Sequence, residues 1–257
     1  KDRNLQTPSN IILVNMGLGD LLFSLLSLPL SMTLVSFRDT WCFGGNLNKF
    51  FDAIWFGFVL LSFLNVIIIA GERCLAVLRP FWYQNTVTKS RVTFCCSCVW
   101  FYDAALMLGL VIFTFKTPEE KYSFLIPGYI YYPVLYFHVV ITFTLLPLFY
   151  YKIFIVAKRH EVKICRQSRR KQQKYYCLQM KATRTVGLVI LLFVVVWLPF
   201  LVRQLFDIHD VSEGDWDAVN SGLGTLTYCN GAVNFFVYSC REVKLRKALF
   251  KMLKCKT

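Results

Sequence analysis

The chain has 257 residues, 56% of them hydrophobic and only 17% charged, with a formal net charge of +14. Soluble globular domains carry about a quarter charged residues, so the composition argues against an ordinary water-soluble enzyme. The excess of Lys and Arg falls between and after long apolar runs rather than along one polar face, which argues against a nucleic-acid-binding surface.

Six helices are predicted, over about 10–36, 48–78, 91–115, 129–158, 172–207 and 216–239. Each has the ~20 residues needed to cross a bilayer. The opening KDRNLQTPSN does not read as a cleavable signal. Asp20 sits midway along the first run, Asp52 in the second and Asp103 in the third, where a simple lipid anchor avoids charge. The second run ends in AGERCLAVLRP, with a Glu72–Arg73 pair at the edge of hydrocarbon. Residues 158–183 are basic and polar and read as extensions of the two flanking helices. The last segment, 241–254, places Leu245, Ala248, Leu249, Met252 and Leu253 on one face and basic residues opposite, as in a helix lying on a lipid surface. Cys255 follows it, as a site for a palmitoyl chain or as a free thiol; a calmodulin target is a further reading of the segment.

Orientation follows from the Lys/Arg bias of the connections. With residues 1–9 cytoplasmic, the cytoplasmic segments hold 24 of the 29 Lys and Arg. The expected product is an all-α, multi-pass membrane bundle of one domain, with its C-terminus in the cytoplasm. Most of the ten cysteines fall within helices or on the cytoplasmic side; Cys42 is in an outer loop.

Read in order, the motifs resemble those of rhodopsin-like (class A) G-protein-coupled receptors. Glu72-Arg73-Cys74 resembles the family's Asp/Glu-Arg-Tyr, and Asn15 to Leu21, NMGLGDL, its second helix with the Asp-bearing core. Trp41-x-Phe43-Gly44 resembles the first outer loop and Trp100 the fourth-helix Trp. Phe193 to Phe200, FVVVWLPF, resembles the sixth helix, and Asn230 to Tyr238, NGAVNFFVY, the seventh. On this resemblance the first helix is missing, and six spans of a seven-transmembrane receptor fold are visible.

The resemblance implies roles. Glu72, Arg73, Trp197, Pro199, Asn234 and Tyr238 form an activation switch, against plain alternatives of an interfacial Arg snorkelling to head groups and of core packing for Trp197. Asp20, Ser62, Asn230 and Asn234 match a sodium-binding cluster, against a plain hydrogen-bonded network. The ligand pocket falls on Trp55, Phe56, Val59, Tyr136, Phe200, Leu201, Gln204, Gly224 and Tyr228. Trp55 stands where amine receptors carry Asp, which argues against a monoamine agonist. Tyr228 stands where opsins carry Lys, which excludes a retinal Schiff base. Arg203 either anchors an acidic ligand or snorkels to the outer interface. Asp103 has no family role and is expected to pair with a neighbouring helix or water.

Several positions depart from the family. Asn48 replaces the usual Cys above the second apolar run, Thr142 the fifth-helix Pro, Phe235 the seventh-helix Pro and Cys74 the Tyr after Arg73. The missing disulfide and Pro resemble the melanocortin, lysophospholipid and cannabinoid branch. The implied partners are an extracellular small-molecule, lipid or peptide ligand, a heterotrimeric G protein, arrestin and the bilayer of the plasma membrane, with no nucleic acid. No catalytic constellation and no cofactor beyond an allosteric sodium ion is expected. Two alternatives are an atypical receptor of the same fold without G-protein signalling and a transporter or channel.

Overall fold

The computed structural model describes residues 7–36, 45–116, 128–167 and 170–205, and within 222–237 residues 222–224, 226–227, 229–232, 234 and 237. Six helices follow in order: α1 Pro8–Ser36, α2 Gly45–Leu78, α3 Pro80–Thr86, α4 Lys89–Lys116, α5 Gly128–Gln167 and α6 Arg170–Leu205. The described residues between 222 and 237 are all helical, and no strand occurs among the described residues. The all-α class expected from the sequence is the one that forms. Among the described residues, five helices are long and apolar enough to cross a membrane, through Pro8–Ser27, Lys49–Leu78, Lys89–Thr114, Tyr129–Lys158 and Met180–Gln204.

Local chemistry sets the helix starts. Thr7 caps α1, its Oγ1 accepting from the Asn10 N–H at 3.3 Å, and Pro8 takes the first helical position, where no N–H is needed. Thr88 repeats the device for α4, accepting from Arg91 N–H at 3.4 Å. The hydropathy run placed the α1 start at 10 and missed the Thr-Pro cap. α5 continues to Gln167, into the basic stretch that reads as a helical extension. α3 falls between the helices predicted over 48–78 and 91–115, where no helix is expected. It is a separate helix started by Pro80, with Tyr83 N–H bonded to the Arg79 carbonyl at 2.8 Å.

The chain divides into two compact units, Gln6–Gln173 and a second that begins at Lys174 and includes most of α6. In the first, α2 is the hub and packs against α1, α3, α4 and α5. Its buried side chains include Phe56, Val59, Leu60, Leu61, Phe63 and Val66. The other helices turn large apolar side chains outward, among them Leu25, Phe94, Phe101, Phe137 and Phe154. That inversion suits a lipid surround.

Lipid supplies little hydrophobic drive between helices, so close packing and polar ties matter more. Asn15 of α1 donates to Asn65 Oδ1 of α2 at 2.7 Å, and the Trp100 indole of α4 donates to Asn15 Oδ1 at 2.7 Å. Three helices are thus pinned at one level. Towards the Gly45 end of α2, Gly57 lets the Met107 side chain of α4 lie directly against the backbone; a Cβ there would collide with Met107 Cγ and Cε.

Candidate functional site

The most connected polar cluster lies where α2 leaves its apolar run. Glu72 and Arg73 are adjacent, yet both are buried, at 6% and 4% exposure. Arg73 clasps its neighbour with two nitrogens, Nε to Oε2 and Nη2 to Oε1, each at 2.5 Å. A buried pair survives only when its remaining hydrogen-bonding capacity is filled. Two further groups fill it. Ser9, one residue into α1 from Pro8, donates to Glu72 Oε1 at 2.9 Å and accepts from Arg73 Nη2. Tyr83 of α3 donates its O–H to Glu72 Oε1. Burial pushes the Tyr83 phenol up from its ordinary range, and the Glu72 carboxylate pushes it further. Tyr150 of α5 lies within electrostatic reach of Arg73. Sequence reasoning found Glu72 and Arg73. Ser9 and Tyr83 lie outside the helices predicted over 10–36, 48–78 and 91–115, and the motifs do not point to them.

α3 also faces outward. Phe81 and Trp82 are 73% and 45% exposed beside the buried Tyr83, outside the candidate spans. One short helix therefore joins an exposed aromatic surface to the carboxylate that holds Arg73.

The expected pocket residues divide between the units. In Gln6–Gln173, Trp55, Phe56 and Val59 are all buried on α2. Phe56 meets Tyr131 of α5 with ring centroids 4.8 Å apart, and Tyr131, Tyr132 and Tyr136 continue the aromatic row along α5. Phe56 is thus a packing contact between α2 and α5; Tyr131 and Tyr132 were not anticipated. In the second unit, Phe200 and Leu201 are buried, and Gln204 and Gly224 are partly so. Tyr228 lies outside the described residues, as do Tyr238, Phe235, Cys42, Cys255 and the segment 241–254.

Within α6, Trp197 is the hub of an aromatic ladder, with Phe193 at 5.9 Å and Phe200 at 6.0 Å between centroids. Pro199 is inside this helix and removes the N–H that would bond the Val195 carbonyl. A large ring therefore sits beside a weakened point of the helix ladder.

The expected sodium residues also divide. Asp20 and Ser62 are buried in Gln6–Gln173, and Asn230 and Asn234 are buried in the other unit. Ser62 donates its hydroxyl hydrogen to the Phe58 carbonyl at 3.1 Å, which leaves its oxygen lone pairs to accept or ligate. One carboxylate, a hydroxyl and amide oxygens suit a hard monovalent cation. Among the described residues no group of three His, Cys, Asp or Glu converges. Asp103 lies in the middle part of α4. It is 1% exposed, and its Oδ1 accepts no hydrogen bond from a neighbouring helix.

The sequence profile of the 7 transmembrane receptor (rhodopsin family) matches residues 1–238. Trace amine-associated receptor 13c of Danio rerio is 28% identical, over 96% of this chain and 76% of its own length. Trace amine-associated receptor 9 of Homo sapiens is 27% identical, over 92% and 72%. The alpha-1A adrenergic receptor of Mus musculus is 25% identical over 98% of this chain, which spans 62% of that receptor. With a match over nearly the whole sequence, and with the described helices in the order this fold requires, the chain belongs to the rhodopsin family of seven-transmembrane receptors.

Proposed function

We propose that the chain is a ligand-activated receptor that drives nucleotide exchange on a heterotrimeric G protein. The observation that carries this reading is the buried Glu72–Arg73 pair held by Ser9 and Tyr83. A cation satisfied entirely within the protein in one state becomes available to a partner in another, which is the requirement for a two-state element. The aromatic surface of α3 gives that partner a place to touch. Ligand binding in the outer half of the bundle biases the pair through Trp197 and the Pro199 break. The receptor lies in the plasma membrane with its C-terminus in the cytoplasm, where Cys255 is acylated and arrestin is a second partner. Sodium at Asp20 and Ser62 favours the closed state. No chemistry is catalysed.

The relatives' names carry trace amines and adrenergic ligands, and they redirect the branch resemblance drawn from the missing disulfide and Pro. Trp55 nevertheless presents an indole where an ammonium needs a carboxylate. The ligand of this chain is therefore an apolar or aromatic molecule without an essential ammonium group.

The deciding experiment is basal exchange on each class of Gα by the full-length receptor, against Arg73→Ala. Exchange that vanishes in Arg73→Ala supports the proposal. Normal surface expression with no exchange, with or without Arg73, favours a receptor that signals without a G protein.

A further inference from the structure

α4 and α5 both pack on α2, but their backbones barely touch each other. Side chains bridge them instead. Tyr102 of α4 meets His138 of α5 with Oη and Nε2 3.1 Å apart, and Phe113 meets Tyr129 edge-on further along. On the Cys95 side of the first bridge lies a cleft of about 330 Å³, floored by Leu64 and Ile67 of α2 and walled by Cys95, Cys98 and Val99 of α4 and Phe137 and Ile141 of α5. Cys95, Cys98 and Phe137 are exposed, so the cleft opens outward, onto the faces that α4 and α5 turn to lipid. Its volume is at the lower end of the ~300–1,000 Å³ of small-molecule sites.

The polar end of the cleft has a defined hydrogen-bond character. His138 Nδ1 lies 2.8 Å from the Val134 carbonyl, which can only accept, so Nδ1 carries the hydrogen. In the neutral ring Nε2 is then the acceptor, and Tyr102 must donate to it. The phenol hydrogen is used, and the oxygen lone pairs of Tyr102 remain. Tyr102 is 42% exposed whereas His138 is 4% exposed. The cleft therefore offers one hydrogen-bond acceptor to a visitor, at the end of an apolar trough.

Depth restricts the visitor. Tyr102 is at the middle of α4, about 20 Å from either end at 1.5 Å per residue. Head groups begin only ~15 Å from the bilayer centre, so neither a phospholipid head group nor an interfacial sterol hydroxyl reaches it. A small molecule dissolved in the hydrocarbon does.

We propose that this cleft is a membrane-entered binding site for a small apolar molecule carrying a single hydrogen-bond donor, its body against Leu64, Ile67, Val99 and Ile141 and its donor on Tyr102 Oη. The site does not depend on which G protein or outer ligand the receptor uses.

The test uses the full receptor in phosphatidylcholine nanodiscs and two photoreactive probes, octanol bearing a diazirine and its methyl ether. The alcohol should label peptides containing Cys95–Tyr102 and Phe137–Ile141 above peptides containing the exposed Leu25 of α1 and Leu191 of α6. Labelling should fall about threefold to tenfold for the ether and for Tyr102→Phe, the worth of one hydrogen bond. Cys98→Phe, which fills the trough and spares Tyr102, should also block labelling, and melting temperatures would show that both variants fold. Label spread evenly over all lipid-facing helices overturns the site. Equal labelling by alcohol and ether, or in Tyr102→Phe, overturns the role of the donor.

Discussion

Tyr83 of α3 donates its phenol hydrogen to Glu72 Oε1, the same oxygen that Arg73 Nη2 and Ser9 engage. The helix that exposes Phe81 and Trp82 is thereby fastened to the carboxylate that restrains Arg73. Tyr83→Phe keeps the ring and its packing but removes the donor. A hydrogen bond to a charged group is worth about 1.5–3 kcal/mol, part of which is regained from water once α3 loosens. Basal nucleotide exchange should therefore rise about threefold to tenfold, with the maximal ligand response unchanged. Unaltered basal exchange in a well-expressed Tyr83→Phe receptor would place Tyr83 outside the switch.

The same bond has a defined pH behaviour. Burial and Glu72 raise the Tyr83 phenol above its ordinary value of ~10. With a folded value above the unfolded one, the protonated donor contributes fully below ~10 and is lost only as pH rises through the higher folded value. Basal exchange should thus show no titration from Tyr83 across neutral pH. A step near neutrality that disappears in Tyr83→Phe would contradict the raised phenol.

What was legible in the sequence and what was not divides along physical lines. The apolar runs of α1, α2, α4, α5 and α6 were legible because crossing a bilayer demands a long apolar run, and Trp197 and Pro199 because they stand in an ordered motif. Ser9 was hidden because hydropathy dilutes a helix start in polar residues, although the Thr7-Pro8 cap was there to be read. Tyr83 was hidden because seven residues of α3 carry no period, and the bond to Glu72 is tertiary. The same holds for the row from Tyr131 to Tyr136, since an aromatic stripe on a membrane helix reads equally as lipid-facing.

Asn15 is the joint of a three-helix tie, receiving the Trp100 indole hydrogen while giving its own to Asn65. Hydrogen bonds between membrane helices average about 0.6 kcal/mol and reach about 1.7. Trp100→Phe should lower stability by roughly 0.5–1.5 kcal/mol, and Asn15→Ala by more, because it breaks both bonds. Combining them should cost no more than Asn15→Ala plus the packing loss at residue 100. Full additivity in thermal unfolding would mean that the indole and the amide act separately.

Asp20 is buried with Ser62 in the same unit, and Ser62 keeps its lone pairs free by donating to its own helix. If these oxygens hold sodium in the closed receptor, replacing potassium by sodium at fixed ionic strength should lower basal exchange about threefold, some 0.6 kcal/mol. Asp20→Asn should erase the difference between the two salts, and Ser62→Ala should reduce it. A sodium effect of full size in Asp20→Asn would assign the ion elsewhere, and no effect in the parent receptor would leave Asp20 as a structural carboxyl.

At Gly57 the Met107 side chain of α4 lies against the backbone of α2. Adding one methyl group there drives Cβ into Met107 Cγ, near the root of that side chain, so rotation of its tip is not enough to clear the clash. Overpacking of this kind costs typically 1–3 kcal/mol, and Gly57→Ala should lower thermal stability within that range although alanine is the better helix former. Met107→Ala removes the colliding atoms. The double variant should therefore be more stable than Gly57→Ala alone, a coupling of opposite sign to the simple sum. If the two substitutions add, the α2–α4 seam yields by sliding as a whole, and the close approach at Gly57 is not what sets the distance between these helices.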